Sequence, residues 1–375
     1  MTRFFRRSGY RWFLLFCAYT VVAAAVFNGF YTKWRLNDGH PTLGLAHMVD
    51  GTAHRPYVYR QLVPAIANGI QSLLPPSTVE RLSERLTDPR RVDSRSGLAM
   101  RYPASEAMLP AITVRYHLVY YLTFFALLAS LFVMRRLCLQ AGTGVAAATG
   151  APLVFALLLP FFLTEGGYFY DFFEVLFMMS AVLLAMNASC KTPERLAVLL
   201  VMAAIATWNK EAFFFFTPAL YPLLRRNLSR LHALSFVGAL LLACGCVYLA
   251  LRMRYAGNPG STVDFQLWEN LGFYLNPGNW FRTESTYGVA LPRAFSLVAM
   301  LAFAAIACCG WGRMPKTLRQ HALLALTINL PLLLLFCSPG EMRNLSMLYP
   351  TLLCLIAQAW VARQACHSAA EGAHA

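Results

Sequence analysis

Residues 12–30 read Trp12-Phe13-Leu14-Leu15-Phe16-Cys17-Ala18-Tyr19-Thr20-Val21-Val22-Ala23-Ala24-Ala25-Val26-Phe27-Asn28-Gly29-Phe30, and Arg3, Arg6, Arg7 and Arg11 stand just before them. The run carries no charge and is close to the ~20 residues a helix needs to cross a bilayer. Arginines ahead of it hold the N-terminus on the cytoplasmic side. A signal peptide shares the basic start and apolar middle, but no clear small-x-small site precedes a polar stretch, Ala23 to Ala25 coming nearest. An uncleaved first span is the expectation.

Further apolar blocks occupy 112–134, 145–163, 172–190, 196–208, 212–224, 232–251, 291–311, 321–338 and 345–362. The blocks at 196–208 and 212–224 are short for spans; they either continue across Asn209-Lys210-Glu211 or bend there inside the bundle. Counting both predicts an all-α, polytopic transmembrane helix bundle of about ten helices, one domain over 1–375, with both termini cytoplasmic. Basic pairs and triplets fit that topology. Arg135 and Arg136, Lys191 and Arg195, Arg225, Arg226 and Arg230, then Arg313, Lys316 and Arg319 fall on the inside loops. Of the acids, Glu194 and Glu371 lie inside.

Composition agrees. Of 375 residues, 58% are hydrophobic and 13% charged, with mean hydropathy +0.50. A soluble domain carries about 25% charged residues. The net charge of +15 sits between apolar blocks rather than on a basic stripe with interleaved aromatics, which argues against nucleic acid as a partner. Ten cysteines lie almost entirely in apolar segments and none in 31–110, so a disulfide-stapled outer domain is not expected. Cys244 and Cys246 have no His or acid beside them and read as buried hydrophobes.

Two segments face outward. In 31–110, residues 42–74 alternate at helical spacing and predict one or two interfacial helices. Ser77-Thr78-Val79-Glu80 has the form of a capping box opening a short helix, with Val79, Leu82 and Leu86 on one face. Residues 87–104 read as a polar loop. The second segment, 253–290, is rich in Asn, Gly, Pro and Trp and predicts an irregular cap.

Ionisable residues at or near bilayer depth cost a few kcal/mol each and call for an explanation. Four groups stand out, all on the outer side. Asp38, in Asn37-Asp38-Gly39-His40-Pro41, is placed to act as a general base at the membrane boundary; the same residues suit a turn. In Asp50-Gly51-Thr52-Ala53-His54-Arg55-Pro56-Tyr57-Val58-Tyr59-Arg60, two guanidinium groups flank Tyr57 and Tyr59. They suit a phosphate with a sugar stacked beside it, or the anchoring of an interfacial helix to headgroups. Glu165, Tyr168, Tyr170, Asp171 and Glu174 form the third group. Asp171 and Glu174, three apart, share a helix face and suit either a divalent metal or a cation from a neighbouring helix. The fourth joins Asn209-Lys210-Glu211 to Glu341-Met342-Arg343-Asn344. Lys210 and Arg343 are phosphate ligands oriented by Glu211 and Glu341, or the four form salt bridges that knit the bundle.

Asp38, the segment Gly44-Leu45-Ala46-His47-Met48-Val49-Asp50-Gly51 and the stretch Arg55-Pro56 to Pro64 resemble the first outer loop of the C-type (GT-C) integral membrane glycosyltransferases. That class includes protein mannosyltransferases and the lipid A aminoarabinose transferases. Many members carry paired acids where Asn37 and Asp38 stand here. The resemblance covers the first hundred residues in layout and the rest in helix number and polarity. It implies sugar transfer from a polyprenyl-phosphate carrier at the outer face of a bacterial inner membrane. Asp38 would be the base, with Asp50 the second candidate, and Arg55, Arg60, Lys210 and Arg343 would hold the carrier phosphate. The partners implied are membrane lipid and a lipid-linked sugar, and a divalent metal is compatible but not required. Two other readings stay open: a transporter or flippase of a lipid-linked saccharide, which favours broken helices and a midplane site, and a non-catalytic membrane subunit whose charges pair internally.

Overall fold

The computed structural model describes residues 2–88, 105–261 and 263–374. Every apolar block named above is helical over most of its length, the block at 291–311 from Leu297 onward. The helices are α1 (Thr2–Trp34), α2 (Leu45–Val49), α3 (Leu62–Ser72), α4 (Pro76–Thr87), α5 (Thr113–Gln140), α6 (Val145–Phe162), α7 (Phe169–Asn187) and α8 (Pro193–Asn209). They continue with α9 (Ala212–Phe216), α10 (Tyr221–Leu224), α11 (Arg230–Arg254), α12 (Leu267–Leu275), α13 (Leu297–Gly310), α14 (Lys316–Phe336) and α15 (Tyr349–His374). Among the described residues, 7 helices are long and apolar enough to cross a membrane: α1, α5, α6, α7, α11, α14 and the segment Met342–Gln364 that includes most of α15. Two shorter apolar stretches, Ala212–Leu224 and Leu297–Arg313, accompany them. The chain is a polytopic membrane protein.

Its surface has the polarity of one. Leu231 is 73% exposed, Leu242 70% and Leu301 61%, whereas Arg60, Asp171, Glu174, Lys210 and Arg343 are buried. That inversion places the apolar solvent outside and the charge inside. Close approach of helices is set by small residues: a Cβ on Gly310 would lie 2.6 Å from the carbonyl oxygen of Leu355, where α13 crosses α15.

The two short blocks do not merge into one span. α8 ends at Asn209, Lys210 is extended, and α9 starts afresh at Ala212. A 3-10 turn at Thr217–Leu220 then leads into α10, with Pro218 and Pro222 in the first turns of the two pieces. A proline lacks the N–H that a continuous helix would use. The chain therefore bends at Lys210 inside the bundle.

The two segments expected to face outward, 31–110 and 253–290, meet each other. Asn258 Nδ2 donates to the carbonyls of Gly51 and Ala53, each at 2.9 Å, and the Arg55 N–H donates to Pro259 O at 2.8 Å. Helices α2 and α3 realise the helical alternation over 42–74, α3 burying Leu62, Val63, Pro64 and Ala67. The expected capping box at Ser77 is not formed. Pro75 is extended and Pro76 opens α4, so Ser77 falls inside the first turn and caps nothing. The buried residue of α4 is Ser83, whose hydroxyl donates to Pro110 O at 2.9 Å; Leu82 is exposed. Most of the polar loop expected at 87–104 lies outside the described residues.

The segment 253–290 is more regular than expected. It holds α12, a 3-10 turn at Pro277–Phe281 and most of an antiparallel hairpin, β1 (Thr283–Thr286) with β2 (Val289–Pro292). Tyr287 and Gly288 form the two-residue loop with φ of 56° and 78°, the positive pair that a tight hairpin turn demands. The Tyr287 ring packs on Gly29 of α1, 3.1 Å from where a Cβ would stand.

Candidate functional site

Where α7 begins, α8 ends and the chain enters α15, three of the four charged groups converge. Lys210 Nζ lies 2.6 Å from Glu174 Oε2 and 3.2 Å from Asp171 Oδ1, and it donates to Asn344 Oδ1 at 3.3 Å. The second Glu174 oxygen accepts from the Ser346 hydroxyl at 2.6 Å. Arg343 Nη1 reaches Asp171 Oδ2 at 3.3 Å and Arg343 Nη2 reaches Glu341 Oε1 at 2.9 Å. Arg60 pairs with Glu211 at 2.8 Å and donates to the Tyr170 hydroxyl. Its guanidinium centre stands 4.7 Å from the Tyr170 ring, and Arg343 stands 4.5 Å from the Tyr168 ring. Those two rings stack with 5.0 Å between centroids.

The pairing differs from the sequence expectation in one respect. Glu211 orients Arg60, not its chain neighbour Lys210; Lys210 is taken by Asp171 and Glu174 of α7. The bend causes this: with Lys210 extended, adjacent side chains on the chain point to different partners. Asn209 turns inward as well and donates to Tyr170 O at 2.9 Å.

The network holds three cations, Arg60, Lys210 and Arg343, against four carboxylates, Asp171, Glu174, Glu211 and Glu341. Each cation is already hydrogen-bonded to an acid. The crevice among Leu159, Leu163, Asp171, Glu174, Arg343 and Tyr349 has no room for a water molecule. Within that crevice there is no space for a phosphate unless a carboxylate gives way. Exposure ranks the exchangeable ones: the Glu211 side chain is 26% exposed and Glu341 15%, against 7% for Asp171 and 4% for Glu174. Among the described residues no three His, Cys, Asp or Glu side chains converge as metal ligands. The Asp171–Glu174 face, one of whose expected uses was a divalent metal, is occupied by Lys210.

Asp38 lies in a separate cluster of hydrogen-bonded side chains. Its Oδ2 accepts from the Ser105 hydroxyl and, at 3.1 Å, from the Tyr116 hydroxyl. Its Oδ1 is buried and has no partner among the described residues. Tyr31 supports Tyr116 at 2.8 Å. Glu106 braces the turn that carries Asp38: its two oxygens accept from Gly39 N at 2.8 Å and Ala46 N at 3.0 Å. Burial raises the Glu106 carboxyl above its ordinary value; the two N–H groups oppose that rise, and Asp38 adds to it. Ser105, Glu106 and Tyr116 carry no motif in the sequence. Ser105 and Glu106 follow a polar stretch without periodicity, and Tyr116 is one tyrosine among several in an apolar helix.

The α6–α7 turn touches both clusters. Asn37 Nδ2 donates to Gly167 O at 3.3 Å, and Trp34 Nε1 donates to Leu163 O at 2.7 Å. Gly166, at φ +142°, lies 3.5 Å from Arg343 Nε measured from an added Cβ; the same atom on Gly167 would be 2.7 Å from Trp34 Cδ1.

The remaining expected residues sit apart from both clusters or beside them. Asp50 pairs with Arg115 at 2.8 Å with its side chain 52% exposed, so the second candidate base is tied at the surface. Arg55 donates to Gly260 O at 2.8 Å and links the two outer segments instead of joining the network. Tyr57 packs on Arg60 and Tyr168, and Tyr59 is buried in the core. Glu165 pairs with Arg293, which also meets Glu284, and Glu284 pairs with Lys33; these ion pairs pin the hairpin to α1 and to the α6–α7 turn. Comparison with family profiles, curated proteins and solved structures finds no match, so the reading of the site rests on its own geometry.

Proposed function

We propose that this membrane protein transfers a glycosyl group from a polyprenyl-phosphate carrier to an acceptor at the non-cytoplasmic face of a bacterial inner membrane, with both termini inside. The observation that carries the reading is Asp38. One of its oxygens is fixed by two hydroxyl donors, and the other is buried and without a partner among the described residues. A general base needs that arrangement, one lone pair held and one left to accept a proton.

In this reading Asp38 Oδ1 takes the proton of an acceptor hydroxyl, whose oxygen bonds the anomeric carbon. The carbon–oxygen bond to the carrier phosphate breaks, and the electron pair leaves with the phosphate. Arg60 and Arg343 would receive that charge after Glu211 and Glu341, the two more exposed carboxylates, give way. Lys210, enclosed by Asp171, Glu174 and Asn344, fixes the frame and sets the local field. The test is Asp38→Asn in purified protein reconstituted in liposomes with polyprenyl-phosphate sugars. Transfer is expected to fall by about 10²–10⁴-fold, the usual contribution of a general base. Transfer at the wild-type rate removes the base assignment.

A second reading, a non-catalytic membrane subunit, is favoured by the complete pairing of the network. It predicts that no polyprenyl-phosphate sugar is consumed by the wild-type protein under the same conditions.

A further inference from the structure

At the other end of the bundle a second cavity opens between α10 and the start of α14. It encloses about 370 Å³ and is lined by Tyr221, Pro222, Arg225, Arg226, Thr317 and Gln320. α14 runs 21 residues from this cavity to the turn before Glu341, which at 1.5 Å per residue separates it from the charged network by roughly 30 Å. That is the thickness of a bilayer's hydrocarbon core, so the cavity belongs to the opposite boundary.

Its chemistry is one-sided. Two guanidinium groups and three neutral hydrogen-bonding side chains line it, and no carboxylate does. Arg225 donates to Leu228 O at 3.0 Å, which holds its planar head in place; Arg226 has no acidic partner among the described residues. This is the reverse of the network at the far end, where each cation is matched by an acid. A pair of unmatched arginines in a cavity of this size suits a phosphate. The route outward distinguishes which phosphate. From Gln320, the stripe Leu323, Thr327 and Leu330 continues along one face of α14 at helical spacing, and all three are exposed. Leu323 is 55% and Leu330 42% exposed. A free anion makes no use of that apolar stripe, whereas an acyl chain does.

We infer that this groove binds an anionic phospholipid, its phosphate between Arg225 and Arg226 and one acyl chain along the Leu323–Leu330 face. The shared chemistry is a phosphate, and the experiment separates a lipid from a soluble one. Full-length protein in a neutral detergent is titrated with phosphatidylglycerol or phosphatidylcholine, and retained lipid is read by native mass spectrometry. Arg225→Gln/Arg226→Gln should weaken phosphatidylglycerol retention by about tenfold or more, the loss expected for two charge-assisted contacts. Phosphatidylcholine should change little. Arg136→Gln/Lys191→Gln removes the same charge from exposed positions elsewhere on that side and should have an effect below about twofold. Equal weakening by the two double variants would mean bulk charge alone attracts the lipid and would overturn the site. Displacement of the lipid by millimolar inorganic phosphate would overturn it as well, in favour of a free-anion site. Should the double variant not purify as a monodisperse protein, Arg226→Gln alone, whose side chain makes no hydrogen bond or ion pair among the described residues, is scored by the same criteria.

Discussion

Lys210→Met isolates what the buried network contributes. Methionine keeps the length of the side chain and deletes the charge, leaving Glu174 with Ser346 as its one remaining partner among the described residues and Asp171 with Arg343 and the Tyr168 N–H. The Lys210 and Glu174 side chains are each 4% exposed, so water does not replace the lost ammonium. Breaking a buried pair on one side costs about 3–5 kcal/mol, mostly because the orphaned charge stays desolvated. At the ~2 °C per kcal/mol suited to a long chain, the melting temperature in detergent should fall by roughly 6–10 °C. The sign of a second step makes the reasoning specific. Adding Glu174→Gln to Lys210→Met removes the orphaned charge while keeping an acceptor for Ser346, and should recover at least ~1 kcal/mol. Thermal denaturation followed by fluorescence-detected size exclusion reads both. A Lys210→Met protein that melts with the wild type, or a double variant less stable than Lys210→Met alone, refutes the assignment of Lys210 as the counter-ion of these acids.

Two further expectations concern packing and pH. Gly310→Ala should cost about 1–3 kcal/mol in the same assay, because its Cβ would meet the backbone of Leu355 at 2.6 Å and helices α13 and α15 must part; Gly312→Ala, with nothing within 4 Å, should be silent. Glu106→Gln tests the brace under Asp38. The folded protein holds the Glu106 proton more tightly than the unfolded chain, so its contribution to stability is present below the ordinary carboxylate value of 4.5 and is lost as pH rises through the raised folded value. The melting-temperature advantage of wild type over Glu106→Gln should shrink as pH increases across that window, and an advantage that grows with pH contradicts it.

The spans were legible because lipid imposes long uncharged runs. The four polar groups were legible for the same reason: charge among apolar residues stands out. What linked them was not. Lys210 and Glu174 are 36 residues apart, Arg343 and Asp171 172 residues apart, and without a fold the sequence offers each cation several acids. Local chemistry also misled where two rules competed. Ser77-x-x-Glu80 has capping-box spacing, but Pro75 and Pro76 fix the helix start two residues earlier. The hairpin at 283–292 was hidden by its brevity, since four-residue strands leave little alternation to read. Ser105, Glu106 and Tyr116 could be found only once Asp38 had a neighbourhood.

The glycine pair between α6 and α7 has a consequence for how this end of the protein can evolve. Asn37 leans on one residue of the pair and Arg343 on the other, so a single stretch of backbone touches two clusters with different chemistry. A Cβ on Gly167 would meet the Trp34 ring at 2.7 Å, whereas at Gly166 the space is ordinary and the strain is that of its positive φ. The two clusters are therefore geared together: altered affinity on the arginine side and altered alignment of Asp38 should arise as paired traits, and mutational routes that tune one alone must begin away from Gly166 and Gly167.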